Sequence, residues 1–160
     1  IFMPIYYQPA SVFMTQAKGQ IADNATYYGC DGFDGLAEQI DLATIPQKIS
    51  MLSQFNPKDA DKATKNFVRN YTTKYGTYTL NQFGASAYDS VYAIYYAMKE
   101  LKDSGKNINV QISAESLCKL LSKHFTNGFT FSGVTANKAT WDKNGYVQKA
   151  AKVYVLKEAD

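Results

Sequence analysis

The chain has 160 residues, 46% of them apolar and 19% charged, with a formal net charge of +3. That composition excludes a disordered chain, and the scattered lysines lack the block of like charge that a dedicated nucleic-acid surface needs. No stretch approaches the roughly 20 apolar residues that span a bilayer.

The length suits one domain of ordinary size. Its first run, Phe2–Tyr7, is apolar and aromatic, the pattern of a buried parallel strand. Gln8-Pro9 ends it, because proline fixes φ, has no N–H and suits the first turn of a helix. Ala10–Lys18 then carries Val12, Phe13, Gln16 and Ala17 at helical spacing, Gly19 is a stop, and Ala25–Tyr28 reads as a second strand. Ligands of an open α/β sheet bind outside the carboxyl ends of its strands. Tyr7 and Asp31, which follow the two strands, are therefore expected side by side at the mouth of a cleft. Phe33–Gln47 has no clean period and reads as a loop with a short helix. Lys48–Phe55 reads as a strand running into Asn56-Pro57.

Asp59 or Asp61 is placed to cap the next helix. Ala63, Phe67, Tyr71 and Tyr75 recur along it as a core stripe, and Gly76 closes it. After a turn-rich connection over Thr77–Gln82, Ala85–Lys102 predicts the best helix of the chain. Tyr88, Val91, Tyr92, Tyr95, Met98 and Leu101 mark its expected buried side, with Asp89, Lys99, Glu100 and Lys102 exposed. Ser113 caps a further helix with Leu117, Leu120, Leu121 and Phe125 on one face. His124 lies in its last turn, where a cation meets the negative helix end, with no Cys or second His nearby to suggest a metal. Phe129–Phe131 reads as a short strand. Val134–Trp141 and Tyr146–Leu156 flank Asn144-Gly145, a tight-turn pair that predicts a β-hairpin. The tyrosines, 13 in all beside 9 Phe, are read as a core with hydroxyls at its edges or as a binding surface.

No G-x-S-x-G, P-loop or G-x-G-x-x-G is present. Asp31 and Asp34 are close enough in sequence to act as acid and base, but a turn satisfying its own backbone is an equal reading of Asp34. GCDGFDG lacks the alternating acids and terminal Glu of a calcium loop. Cys30 and Cys118 form no CxxC; they read as lone thiols in apolar settings, with a disulfide as the alternative in an oxidising compartment. No metal, cofactor or enzyme activity is expected. A free amino acid, by contrast, presents an ammonium that needs an anion, and Asp31 at a strand end supplies one. Tyr7 supplies a rigid wall with a hydroxyl. Each residue has a structural alternative: a core tyrosine, and a turn-forming Asp before Gly.

The same residues carry a resemblance. FMPIYYQPASVFMTQAKGQIADNATYYGCDGFDG (2–35) resembles the second lobe of a periplasmic-type solute-binding protein of the branched-chain amino-acid ABC transporter class. The likeness continues in order through FVRNYTTKYG (67–76), NQFGASAYDSVYAI (81–94) and TWDKNG (140–145). It implies an α/β chain that forms part of a two-lobed type I periplasmic-binding-protein fold, with a parallel sheet flanked by helices and a C-terminal β-hairpin. Residues 1–56 would belong to the second lobe, 57–151 would return to the first, and 152–160 would form a terminal strand near the hinge. The chain opens on a strand without an initiator Met or signal segment, so it is expected to be a piece of a protein about twice as long, beyond the size of one ordinary domain.

In that family the residue matching Asp31 contacts the ligand ammonium, and the residue matching Tyr7 faces the ligand; Tyr6, Cys30 and Phe33 are weaker neighbours. The implied function is capture of a branched-chain or related amino acid by the extracytoplasmic component of an ABC importer, with a membrane permease as partner. The alternative is a ligand-sensing receptor on the same lobes. Open sheet edges and uncovered apolar surface would let the isolated piece dimerise or exchange elements.

Overall fold

The computed structural model describes residues 1–77 and 79–159. Tyr78, within the expected turn-rich connection, and Asp160, at the end of the expected terminal strand, lie outside the described residues. In chain order the elements are β1 (Phe2–Met3), α1 (Tyr7–Gln16), β2 (Thr26–Gly29), α2 (Leu36–Gln39), β3 (Lys48–Ser53), α3 (Lys62–Tyr75), α4 (Gln82–Asp103), α5 (Ala114–Phe125), β4 (Thr140–Trp141), β5 (Val147–Gln148) and β6 (Lys152–Lys157). They form two compact units, one of Ile1–Asn56 with Ala151–Asp160, the other of Pro57–Ala150.

The first unit is a four-stranded sheet in the order β1-β2-β3-β6. β1, β2 and β3 run parallel, with Met3 opposite Gly29 and Gly29 opposite Met51, and β6 closes the row antiparallel to β3. Met3, Tyr27, Ile49 and Met51 point into one core with Ala10 and Met14 of α1 and Leu36 of α2. The opposite face is uncovered: Phe2 is 67% exposed, and Tyr28, Leu52 and Val153 are exposed with it. The apolar runs predicted strands enclosed on both faces, as parallel strands ordinarily are; within these residues α1 and α2 cover only one.

Two local readings shift here. The first strand stops at Met3, and Tyr7 opens α1 instead of ending β1. Pro9 then lies in the first turn of that helix, where a missing N–H costs nothing. Finally, the buried face of α1 is Ala10, Ser11 and Met14, while Val12 and Phe13 are exposed.

The second unit is built on α3, α4 and α5 with the β4–β5 hairpin. All three helices begin with side-chain caps that accept from free N–H groups: Asp61 from Thr64 N at 2.9 Å, Asn81 from Gly84 N at 2.8 Å and Ser113 from Ser116 N at 3.2 Å. Of the α3 stripe, Phe67 is buried and Tyr75 exposed. No residue of α5 is fully buried; Leu121 and Phe125 lie partly covered against Ala93, Ala97, Phe129 and Phe131, and Trp141 joins them. Phe129–Phe131 is not a strand; Phe131 makes an isolated bridge with Ala139. The run after Asn144-Gly145 is shared between two sheets, because β5 pairs with β4 and β6 with β3.

The largest correction concerns α4. Its buried face is Ala85, Asp89, Ala93, Ala97 and Leu101, an unbroken i, i+4 row, whereas Val91 is 67% exposed and Tyr88, Tyr92 and Tyr95 are also exposed. Side-chain bulk predicts the tyrosine face inward, but alanines let neighbouring backbone approach the helix closely, and tyrosine hydroxyls favour water. The tyrosines stack along the outside instead, Tyr88 on Tyr92 at 4.7 Å between centroids and Tyr92 on Tyr96 at 6.3 Å. A hydrogen bond with Tyr92 is the main cause that pushes the Tyr88 pKa up to about 12, with burial second.

Asp89, expected on the surface, is only 5% exposed. Its Oδ1 accepts from Val134 N at 2.8 Å, and its Oδ2 accepts from Thr135 N at 2.6 Å and Thr135 Oγ1 at 2.7 Å. Any Cβ at Gly133 would collide with this carboxylate.

Three outcomes follow for stability. Ala97→Leu, at a position with no room, should cost about 1–3 kcal/mol, while Val91→Ala should change stability by less than about 0.5 kcal/mol. Urea unfolding followed by Trp141 fluorescence checks both, and the reverse ranking would restore the tyrosine face as the core. Asp89→Ala, which strands two buried N–H groups, should cost about 3 kcal/mol, read in the same assay.

Candidate ligand-binding site

Parallel pairing puts the segments that follow β1 and β2 at the same end of the sheet. After β1, Pro4–Tyr6 leads into α1, with Tyr6 as its extended N-cap residue. After β2, Cys30 leads into a single 3₁₀ turn over Asp31–Phe33. The two segments abut at Gly32: a Cβ there would stand 2.7 Å from Ile5 O and 3.3 Å from Tyr6 Cα. Only glycine permits that approach. Tyr7 then packs against the second segment, since a Cβ at Gly35 would lie 3.4 Å from its ring carbons Cδ1 and Cε1.

The structure therefore brings Tyr7 and Asp31 onto neighbouring segments at one sheet end. The Tyr7 ring is half-buried against the core, and its hydroxyl accepts from Gln8 Nε2 at 3.2 Å. Asp31 is exposed, at the tip of the turn. Tyr6 is exposed and Cys30 half-buried. Phe33 differs: at 0% exposure it presents no surface to a ligand. Its ring lies directly beneath Gly29 and holds the turn from the core side. Both cysteines are free thiols, and Cys118 is exposed, so it is not the small buried hydrophobe expected.

Asp31 is exposed and Asp34 half-buried. Burial raises the Tyr154 pKa, and the negative charge of Asp34 adds to the rise. Tyr154 enters this neighbourhood from β6, opposite Met51. Sequence reasoning missed it because nothing local in KVYVLK indicates a partner more than a hundred residues earlier. Among the described residues no group of three or more His, Cys, Asp or Glu is arranged to hold a metal ion, and no helix is long and apolar enough to cross a membrane.

The arrangement offers an exposed carboxylate on one segment and a half-buried aromatic ring on its neighbour, joined by close backbone contact at Gly32. That set can receive a small cationic group against an apolar body. Gly32→Ala should force the two segments apart, with a stability loss of about 1–3 kcal/mol as for other overpacked sites; thermal melts compared with wild type measure it, and an unchanged midpoint would show that the segments do not touch.

The sequence matches no family model and no curated protein. Among solved structures it is similar to a leucine binding protein, LivK, from Thermotoga maritima, at 22% identity and TM-score 0.70, over 98% of this chain and 41% of that one. It is also similar to an ABC transporter substrate-binding protein from Desulfitobacterium hafniense, at 18% identity and TM-score 0.69, over 100% of this chain and 42% of that one. A third is the branched-chain amino acid transporter substrate binding protein LivJ from Streptococcus pneumoniae in complex with isoleucine, at 26% identity and TM-score 0.64, over 97% of this chain and 44% of that one. The chain thus spans about two fifths of the length of these proteins. The likeness establishes the fold: α/β, with a mixed sheet of mostly parallel strands flanked by helices. All three are ABC-transporter-type or amino-acid binding proteins, and those from Thermotoga maritima and Streptococcus pneumoniae are of the class that the sequence resembles.

Proposed function

We propose that this chain is part of the extracytoplasmic solute-binding component of an ABC importer, which takes a branched-chain or related amino acid between two lobes by hinge closure. The observation that carries the reading is the meeting of the Tyr7 and Asp31 segments at the carboxyl ends of adjacent parallel strands, on a fold shared with solved amino-acid-binding proteins. Residues 1–56 form part of one lobe and 57–151 return to the other, with 152–160 a terminal strand near the hinge. The chain passes between its two compact units at Asn56-Pro57 and again at Ala150-Ala151, which supports that division.

In this reading Asp31 accepts the ligand ammonium and Tyr7 walls the ligand, with Tyr6 and Cys30 at the rim. Beyond the tyrosine hydroxyls, the donors that grip the ligand carboxylate come from the remainder of the protein. Closure brings both sets together on one ligand, and the energy that holds the closed form comes from contacts made only when both are present. The closed form is then delivered to the membrane permease. The uncovered sheet face of Phe2, Tyr28, Leu52 and Val153 supports an origin in a longer chain, because exposed apolar surface of that extent ordinarily marks an interface.

If closure desolvates the ammonium–Asp31 pair, Asp31→Ala in the full-length protein should weaken binding by about 3–5 kcal/mol. Calorimetric titration with leucine, isoleucine and valine measures it. Unchanged affinity in the variant would remove Asp31 from the site, and tight binding by these 160 residues alone would refute two-lobe capture.

A further inference from the structure

A cavity of about 160 Å³ lies wholly within the second unit, between α4, residues 131–139 and the β4–β5 hairpin. It shares no residue with the site above. Its wall is divided in character: Ala93, Phe131, Trp141 and Val147 give an apolar side, and Thr135, Lys149 and the hydrogen-bonded Asp89 carboxylate, with two serines, a polar one.

The polar side is arranged around the buried Asp89. Both carboxylate oxygens are engaged by Val134 N, Thr135 N and Thr135 Oγ1. Because the Thr135 hydroxyl proton is committed to Asp89, its oxygen turns a lone pair toward Lys149, whose Nζ donates to it at 3.1 Å. An ammonium has three donors, and this oxygen satisfies one. Lys149 is half-buried; burial lowers its pKa, and the Asp89 charge acts in the opposite direction. The arrangement is a partly desolvated cation with donors to spare, facing aromatic and aliphatic surface.

We propose that this cavity binds a small aliphatic carboxylate, with its oxygens on the Lys149 ammonium and its hydrocarbon chain against Phe131, Trp141 and Val147. Size sets an upper limit, since a cavity of about 150 Å³ holds a benzene-sized guest. A chain of about three to five carbons fits and a dipeptide does not. Charge restricts the class further. A zwitterionic amino acid would place a second ammonium beside Lys149. An inorganic phosphate would find one ammonium where it ordinarily takes several donors, and would leave the apolar side in contact with nothing.

The chain has a single Trp, Trp141, and it lines the cavity, so its fluorescence reports occupancy directly. The experiment titrates this chain with sodium butyrate, with butyramide and with sodium chloride at matched ionic strength. A saturable change with butyrate alone is expected. Lys149→Met should lower the apparent affinity by about tenfold or more, as loss of a charge-assisted hydrogen bond does, while Lys149→Arg should retain most of it. Melting curves establish that each variant is folded, and if the Met variant is not, the Arg variant and the amide control decide. No saturable response, an equal response to butyramide, or a folded Met variant that binds as wild type would each overturn the proposal. None of these outcomes bears on Asp31 and the amino-acid site, so the two readings fail separately.

Discussion

The parallel pairing of β1 with β2 is the constraint on which the candidate site depends. Antiparallel neighbours would send the segments after them to opposite ends of the sheet, and Tyr7 and Asp31 could not meet. With Met3 opposite Gly29, both segments emerge at one end, and Gly32 lets them close to backbone contact. Phe33, enclosed beneath Gly29, then anchors the turn to the core that Tyr27, Ile49 and Leu36 share. The turn that carries the exposed Asp31 is thus held from the core side.

A different device organises the second unit. There a buried carboxylate, Asp89, replaces the missing backbone partners of an irregular segment, accepting from Val134 and Thr135 where no strand could. The cost of burying its charge is offset by charge-assisted hydrogen bonds. Gly133 is required beside it because any side chain would occupy the carboxylate's place. The i, i+4 row of small residues on α4 belongs to the same arrangement: Ala85, Ala93 and Ala97 let neighbouring backbone reach the helix around Asp89.

Both units leave aromatic surface uncovered, the first on one sheet face and the second along the tyrosines of α4. Surface of this kind normally lies within an interface. Solved proteins of the same fold are more than twice as long as this chain, and a longer polypeptide would have residues to place there. The apolar patterning of β1 and β2 is therefore consistent with a fully covered sheet, even though these residues cover one side of it.

Local chemistry in the sequence determined much of this protein. Asp61 and Ser113 as helix caps, Gly76 as a helix end, Asn144-Gly145 as a hairpin turn and the strand pattern of Lys48–Phe55 each depend on neighbours within a few residues, and each is legible there. That the segments carrying Tyr7 and Asp31 leave the same end of the sheet was also legible, because a strand–helix–strand order permits essentially one handedness and one shared sheet end. Tertiary structure decided what depends on distant residues. Whether α4 buries its tyrosines or its alanines is set by the Val134–Thr135 segment, 45 and 46 residues beyond Asp89. The proximity of Tyr154 to Asp34 is set by a strand that returns from the end of the chain. Periodicity marks the faces of a helix, but only the partner that packs against it selects the buried one.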